Sequence, residues 1–201
     1  LKKLASWEEV VKFHGHSCMG LATGYRVAEA ALKALDNDRD IDEEIVAVVE
    51  NDNCSIDAIQ YVTGCTFGKG NLIFYDYGKP VYTFARRSNQ KAVRIVAKGL
   101  DDNKYRELAD LRQKISSGEF TAEEQERFKQ LSSEAMQQLL SEPLDNVVDV
   151  LEITYNIPEK ARIFKSITCN SCGEKVMEPR ARVENGEIVC IPCAEAAGRN
   201  I

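Results

Sequence analysis

Two C-x-x-C pairs near the end of the chain, Cys169-x2-Cys172 and Cys190-x2-Cys193, constrain its folding more than any other feature. Seventeen residues separate them, a spacing at which two knuckle-like turns close on one ion. A tetrahedral Zn2+ with Zn–S near ~2.3 Å takes one pair on each side, and ligation contributes on the order of 10 kcal/mol to the folding of so small a tail. Rubredoxin-type iron is the competing metal. Gly173 follows Cys172 where a tight knuckle needs it, and the second pair opens an Ala-rich helical stretch. The tail is therefore expected to form a treble-clef-like finger around a structural zinc. With four protein ligands the site is closed, and no catalysis is assigned to it.

The 201-residue chain has seven cysteines in all, and a disulfide framework would leave one over. The remaining three, Cys18, Cys54 and Cys65, fall beside the only two histidines. His14-Gly15-His16-Ser17-Cys18 packs three potential ligands into five residues. Cys18 and Cys54 each precede a helical pattern, where unpaired amides and the helix dipole lower a thiol's pKa. A free cysteine is often only a small buried hydrophobe; the clustering of both histidines with a cysteine argues for ligation. Asp57 could orient a ligating imidazole or stabilise a first helical turn, and Lys69 could meet an anion or be solvated.

Periodicity indicates an α+β fold. Ser6-x-x-Glu9 is a capping box opening a short helix. Leu21, Tyr25, Ala28, Leu32 and Leu35 form one stripe of a second helix, with Gly20, Gly24 and Ala28 as a small-residue line. Glu44 to Asp52 reads as a buried strand, and 54–63 as a helix ending at Gly64. The runs 71–77 and 81–85 are expected to pair as a hairpin, with 92–97 as a further strand. A helical hairpin insert is expected over 101–142, with a second capping box at Thr121 and Glu124, followed by strands over 147–154 and 161–167. The expected architecture is a mixed or antiparallel sheet with packed helices, as a core domain over 1–155 and a finger domain over 156–201.

Charge restricts the partners. The formal net charge is −6, and the tail from residue 156 carries seven basic and six acidic side chains. Nonspecific nucleic-acid affinity comes from clustered Lys and Arg, so nucleic-acid binding through the finger ranks last among the functions considered. The insert's acidic excess, ten against six, reads as a solvated face. No apolar run reaches the ~18 residues of a membrane span and the first residues lack a secretory h-region, so the expected location is cytoplasmic.

Three segments carry a family resemblance: 13–20 (FHGHSCMG), 50–58 (ENDNCSIDA) and 64–72 (GCTFGKGNL). Together they resemble the formylmethanofuran dehydrogenase E-subunit family of methanogens and other anaerobes, whose longer members also end in a zinc finger. The resemblance implies an α+β core, a His/Cys metal site and a homodimer. It also departs at Met19, where the family commonly has Pro. The redox chemistry of that dehydrogenase belongs to a molybdenum or tungsten cofactor on other subunits.

His16, Cys18 and Cys54 are accordingly expected to ligate a second metal with one position left open. Zinc is the first choice, with Ni2+ or Fe2+ as alternatives. Cys65 and His14 are the next candidates, as a fourth ligand or a proton-transfer group. Cys18, Cys54, Cys65, His14, Asp57 and Lys69 form the catalytic candidate set. The leading function is a metal-dependent enzyme or enzyme subunit of anaerobic one-carbon metabolism acting on a small molecule. The alternative is a noncatalytic accessory, metal-carrier or electron-transfer subunit of a larger dehydrogenase complex.

Overall fold

The first capping box forms as its residues require: Ser6 Oγ accepts from the Glu9 amide at 3.3 Å, and the Glu9 carboxylate accepts from the Ser6 amide at 2.8 Å. It opens α1 (Trp7–His14) in the computed structural model, which describes residues 4–36, 39–99 and 105–198. After a left-handed turn at Gly15 the chain enters α2 (Met19–Ala34). The apolar stripe of α2 is the core face, with Leu21, Ala28, Leu32 and Leu35 all buried. Tyr25 is half-buried and donates its hydroxyl to the Ala5 carbonyl.

The first unit, Leu1–Lys160, continues through β1 (Ile45–Val49), α3 (Ser55–Thr63), β2 (Leu72–Phe74), β3 (Val81–Arg86) and β4 (Ala92–Ala97). It then carries α4 (Arg106–Ser117), α5 (Ala122–Ser141), α6 (Leu144–Val147) and β5 (Val148–Ile153). The strands form one mixed sheet in the order β2-β1-β3-β4-β5, parallel only between β1 and β2. Ile45, Ala47, Val49, Tyr82, Phe84, Val93 and Ile95 turn to the helices and build the core with Leu21, Leu35 and Ile59. Each large apolar side chain buried there contributes about 1.5–3 kcal/mol.

The expected hairpin of 71–77 with 81–85 does not form. β1 lies between β2 and β3, pairing Ala47 with Leu72 on one side and with Phe84 on the other. The reason is the composition of β1: all five of its residues are apolar and buried, so it occupies a central position with neighbours on both edges. The expected strand over 161–167 is also reduced. Residues 161–165 are exposed coil, and pairing begins only at Ser166.

The small-residue line of α2 meets a neighbour within the chain. A Cβ on Gly24 would lie 2.1 Å from the Ser55 carbonyl oxygen, so only glycine lets α2 and α3 approach this closely. The line therefore does not provide the two-fold surface of the expected homodimer. The helical hairpin insert is present as α4 and α5, joined at Gly118, with the Thr121/Glu124 capping box formed. The start assigned to it at 101–104 lies outside the described residues.

The second unit, Ala161–Ile201, consists of two small hairpins and a helix. β6 (Ser166–Thr168) pairs with β7 (Lys175–Met177), and a 3-10 turn over Glu178–Arg180 leads to β8 (Ala181–Glu184) and β9 (Glu187–Cys190), with α7 (Ile191–Gly198) last. No helix among the described residues is long and apolar enough to cross a membrane.

Candidate metal centres

In the finger, the β6–β7 connection is the first knuckle. The Cys169 amide donates to the Glu174 carbonyl and the Gly173 amide to the Cys169 carbonyl, both at 2.9 Å, with Gly173 at φ +77°. The second pair sits where β9 becomes α7. All four sulfurs lie within 4.8 Å of one another, as one tetrahedral ion requires. The thiols are unequal: amides of residues 172 and 190 lower Cys169 to about 6. Cys172 rises to about 12 despite the Glu174 backbone, through its thiol neighbours and burial. A divalent ion would displace the remaining protons.

The second centre assembles at the starts of two helices. Cys18 caps α2, its Sγ accepting from the Leu21 amide at 3.4 Å. Cys54 occupies the equivalent position before α3, and the Gly20 contact keeps the two helix starts together: a Cβ there would sit 3.2 Å from Cys54 Cβ. The end of α1 and the turn after it supply His14 and His16, whose ring centroids are 4.4 Å apart. One potential ligand atom from each of His14, His16, Cys18 and Cys54 falls within a 4.8 Å group.

Asp57, one turn into α3, accepts from or shares a proton with His14 Nδ1 at 2.7 Å. His14 Nε2 is buried and has no hydrogen-bond partner among the described residues. An orphaned buried nitrogen normally costs ~1–3 kcal/mol; a metal bond removes that penalty. Carboxylate on one ring nitrogen and metal on the other is the arrangement that fixes a ligating imidazole. The donor set therefore fits a divalent ion of the zinc, nickel or iron class.

Helix-start acidification does not hold at Cys54. Burial pushes its thiol pKa up, and the neighbouring Cys18 thiol pushes it further. The Ser55 amide that could have stabilised a thiolate is instead taken by Asn53 Oδ1 at 2.9 Å.

Cys65 is not brought to this cluster. It is fully buried in the core, with Sγ 3.4 Å from the Ile45 carbonyl, and burial pushes its thiol up to about 12. Lys69 is also elsewhere, with Nζ 3.9 Å from Asp40 and 3.4 Å from the Ile41 carbonyl. Around it Asn71 ties the loop: its amide nitrogen approaches Asp40, Asp42 and Ile45 oxygens, and its oxygen accepts from Thr66. The 64–72 motif thus closes a connection.

A cleft of about 440 Å³ adjoins the second centre, bordered by His14, Cys54 and Asp57. Phe67, Phe74, Asp52, Asn53 and Gln60 line it as well, and sequence reasoning had not assigned them a site role. Gln60, three residues after Asp57 on α3, approaches its carboxylate at 3.4 Å; that spacing was the available signal.

Comparison with known proteins agrees with both centres. Residues 13–149 match the family described as FmdE, molybdenum formylmethanofuran dehydrogenase operon, and residues 162–197 match the prokaryotic dksA/traR C4-type zinc finger. Over 191 residues the chain is 34% identical to a probable S-adenosyl-L-methionine-binding protein of Archaeoglobus fulgidus. The match takes in 91% of this chain and 50% of that protein, so the chain spans about half its relative's length. The fold is similar to that of an FmdE-like protein of the tungsten formylmethanofuran dehydrogenase type from Syntrophus aciditrophicus. The TM-score is 0.63 at 20% identity, over 94% of this chain and 90% of that one.

Proposed function

Since the chain belongs to the FmdE family, we propose that it is a two-metal protein in which the finger zinc is structural and the N-terminal ion serves a small-molecule reaction of anaerobic one-carbon metabolism. That it is a metal-binding protein follows from the family, the C4 finger and the two donor clusters. The reaction role rests on one observation: His14 Nε2 is buried without a partner while Asp57 holds the other ring nitrogen, beside a cleft large enough for a substrate.

When bound, a divalent ion there would polarise a carbonyl or lower the pKa of a water. Asp57 would hold His14 in the tautomer that leaves Nε2 free for ligation. Cys18 and Cys54 would supply two thiolates from adjacent helix starts, and the cleft would admit the substrate. Zinc suits this mixed donor set best, with nickel or iron as alternatives. A reducing cytoplasmic setting suits seven unpaired cysteines. Assembly as a homodimer, or on a larger dehydrogenase complex, belongs to the same proposal and is supported by the family alone.

One observation favours the noncatalytic reading: with His16 the donors number four, enough to close a tetrahedron. Metal analysis and melting of variants separate the two. The unmodified chain should hold one ion at each cluster, and Cys54→Ser should lose the N-terminal ion alone. Asp57→Asn should weaken that ion by about 10–100-fold. A melting temperature within ~3 °C of the parent after Cys54→Ser supports a functional ion, because a structural metal would carry its binding energy into folding. Unchanged metal content in Cys54→Ser refutes the site.

A further inference from the structure

The four donors of the N-terminal cluster are held unequally. His14 is fixed by Asp57 at 2.7 Å, Cys18 by the Leu21 amide at 3.4 Å, and Cys54 by the close approach of Gly20. His16 is exposed and makes no hydrogen bond among the described residues; its neighbour is the His14 ring. A ligating imidazole without an orienting partner loses more side-chain freedom on coordination and is held less firmly. Of the four, His16 is the donor an incoming group displaces most easily.

The cleft specifies what that group can be. Val49, Ile56 and Leu72 give it apolar walls, and the exposed rings of Phe67 and Phe74 offer surface for a flat body. Among the described residues that line it there is no Lys or Arg, whereas Asp52 and Asp57 both do. The thiolates of Cys18 and Cys54 balance the charge of a divalent ion, so these carboxylates leave the surroundings negative. A carboxylate or phosphate ligand would find no positive partner and two like charges.

We propose that this cleft takes a neutral or cationic organic ligand with an apolar, ring-sized body, and that the ligand's donor atom replaces His16 at the metal. The inference rests on the N-terminal metal site proposed above and adds the ligand class and the exchangeable position.

The test uses the full chain loaded with Co2+, whose visible absorption reports its ligands. The probes are 1-benzylimidazole and 4-(imidazol-1-ylmethyl)benzoate, which share a donor and a ring and differ by one carboxylate. The neutral probe should bind at least about tenfold more tightly than its carboxylate analogue, and Asp52→Asn should narrow that gap to under about threefold. His16→Ala should keep the N-terminal Co2+ and bind 1-benzylimidazole about tenfold more tightly, since no internal donor competes. Equal affinity for the two probes overturns the ligand class. Loss of the ion from His16→Ala as complete as from Cys54→Ser overturns the exchangeable position, as does a His16→Ala spectrum identical to the parent's. If the parent chain takes up no ion at this cluster, the proposed function itself fails; in every other case it stands and only this inference is decided.

Discussion

At the scale of single residues, environment separates cysteines that look alike in the sequence. Cys54 and Cys65 are eleven positions apart, yet one borders a cleft and the other lies in the core with its sulfur on the Ile45 carbonyl. A thiol raised to about 12 stays protonated through neutral and mildly alkaline pH, and only the thiolate ligates or attacks. Cys65→Ala should therefore leave both metals bound. It should cost about 1 kcal/mol through lost packing, a fall of ~2–4 °C in melting temperature. Metal analysis with calorimetry checks this, and a lost ion would return Cys65 to the site. The His14–Cys18 cluster was legible because its members are consecutive and have no room to part. Cys65 was not, because closeness to a motif does not say which way a side chain faces. The orienting role open to Asp57 could be read from its place in the first turn of α3; Lys69 had the same surface chemistry but is drawn to Asp40.

Among the elements, the close packing of α2 on α3 brings the two cysteine-bearing helix starts together. Gly24 controls that distance, since any side chain there meets the Ser55 backbone, which cannot swing away. Gly24→Val should force the helices apart, destabilise the first unit by ~1–3 kcal/mol and loosen the N-terminal metal while leaving the finger's ion in place. Metal titration alongside denaturant unfolding reads both effects, and an unchanged N-terminal affinity would show that the helix spacing does not set the site. Element boundaries governed by local chemistry were legible: both capping boxes form, and Gly64 and Gly118 end their helices in the left-handed conformation. Strand partnership was not. Apolar runs flanking a turn look like a hairpin, and nothing local in 71–85 announces that β1, written some twenty-five residues earlier, will lie between them.

The whole molecule is two units with very different means of staying folded. The first buries a continuous apolar core against five strands. In the second, the only apolar side chains buried among the described residues are Cys169 and Val189, and one of these is itself a proposed ligand. So little buried surface cannot offset the chain entropy of some forty residues, at about 1–2 kcal/mol each for the backbone alone. The finger's stability must then come from its metal, as the two knuckles and their spacing already implied. Removing zinc with a strong chelator should unfold residues 161–198 while the sheet unit keeps its structure, and Cys190→Ser should do the same without chelator. Hydrogen exchange resolved by residue is the measurement. Amides of β6 to β9, including the Asn170 amide now bonded to the Ile188 carbonyl at 2.8 Å, should lose protection, and those of β1, β3 and β4 should keep it. Protection persisting in β8 and β9 after the metal is gone would mean that the finger folds on contacts other than its four thiolates.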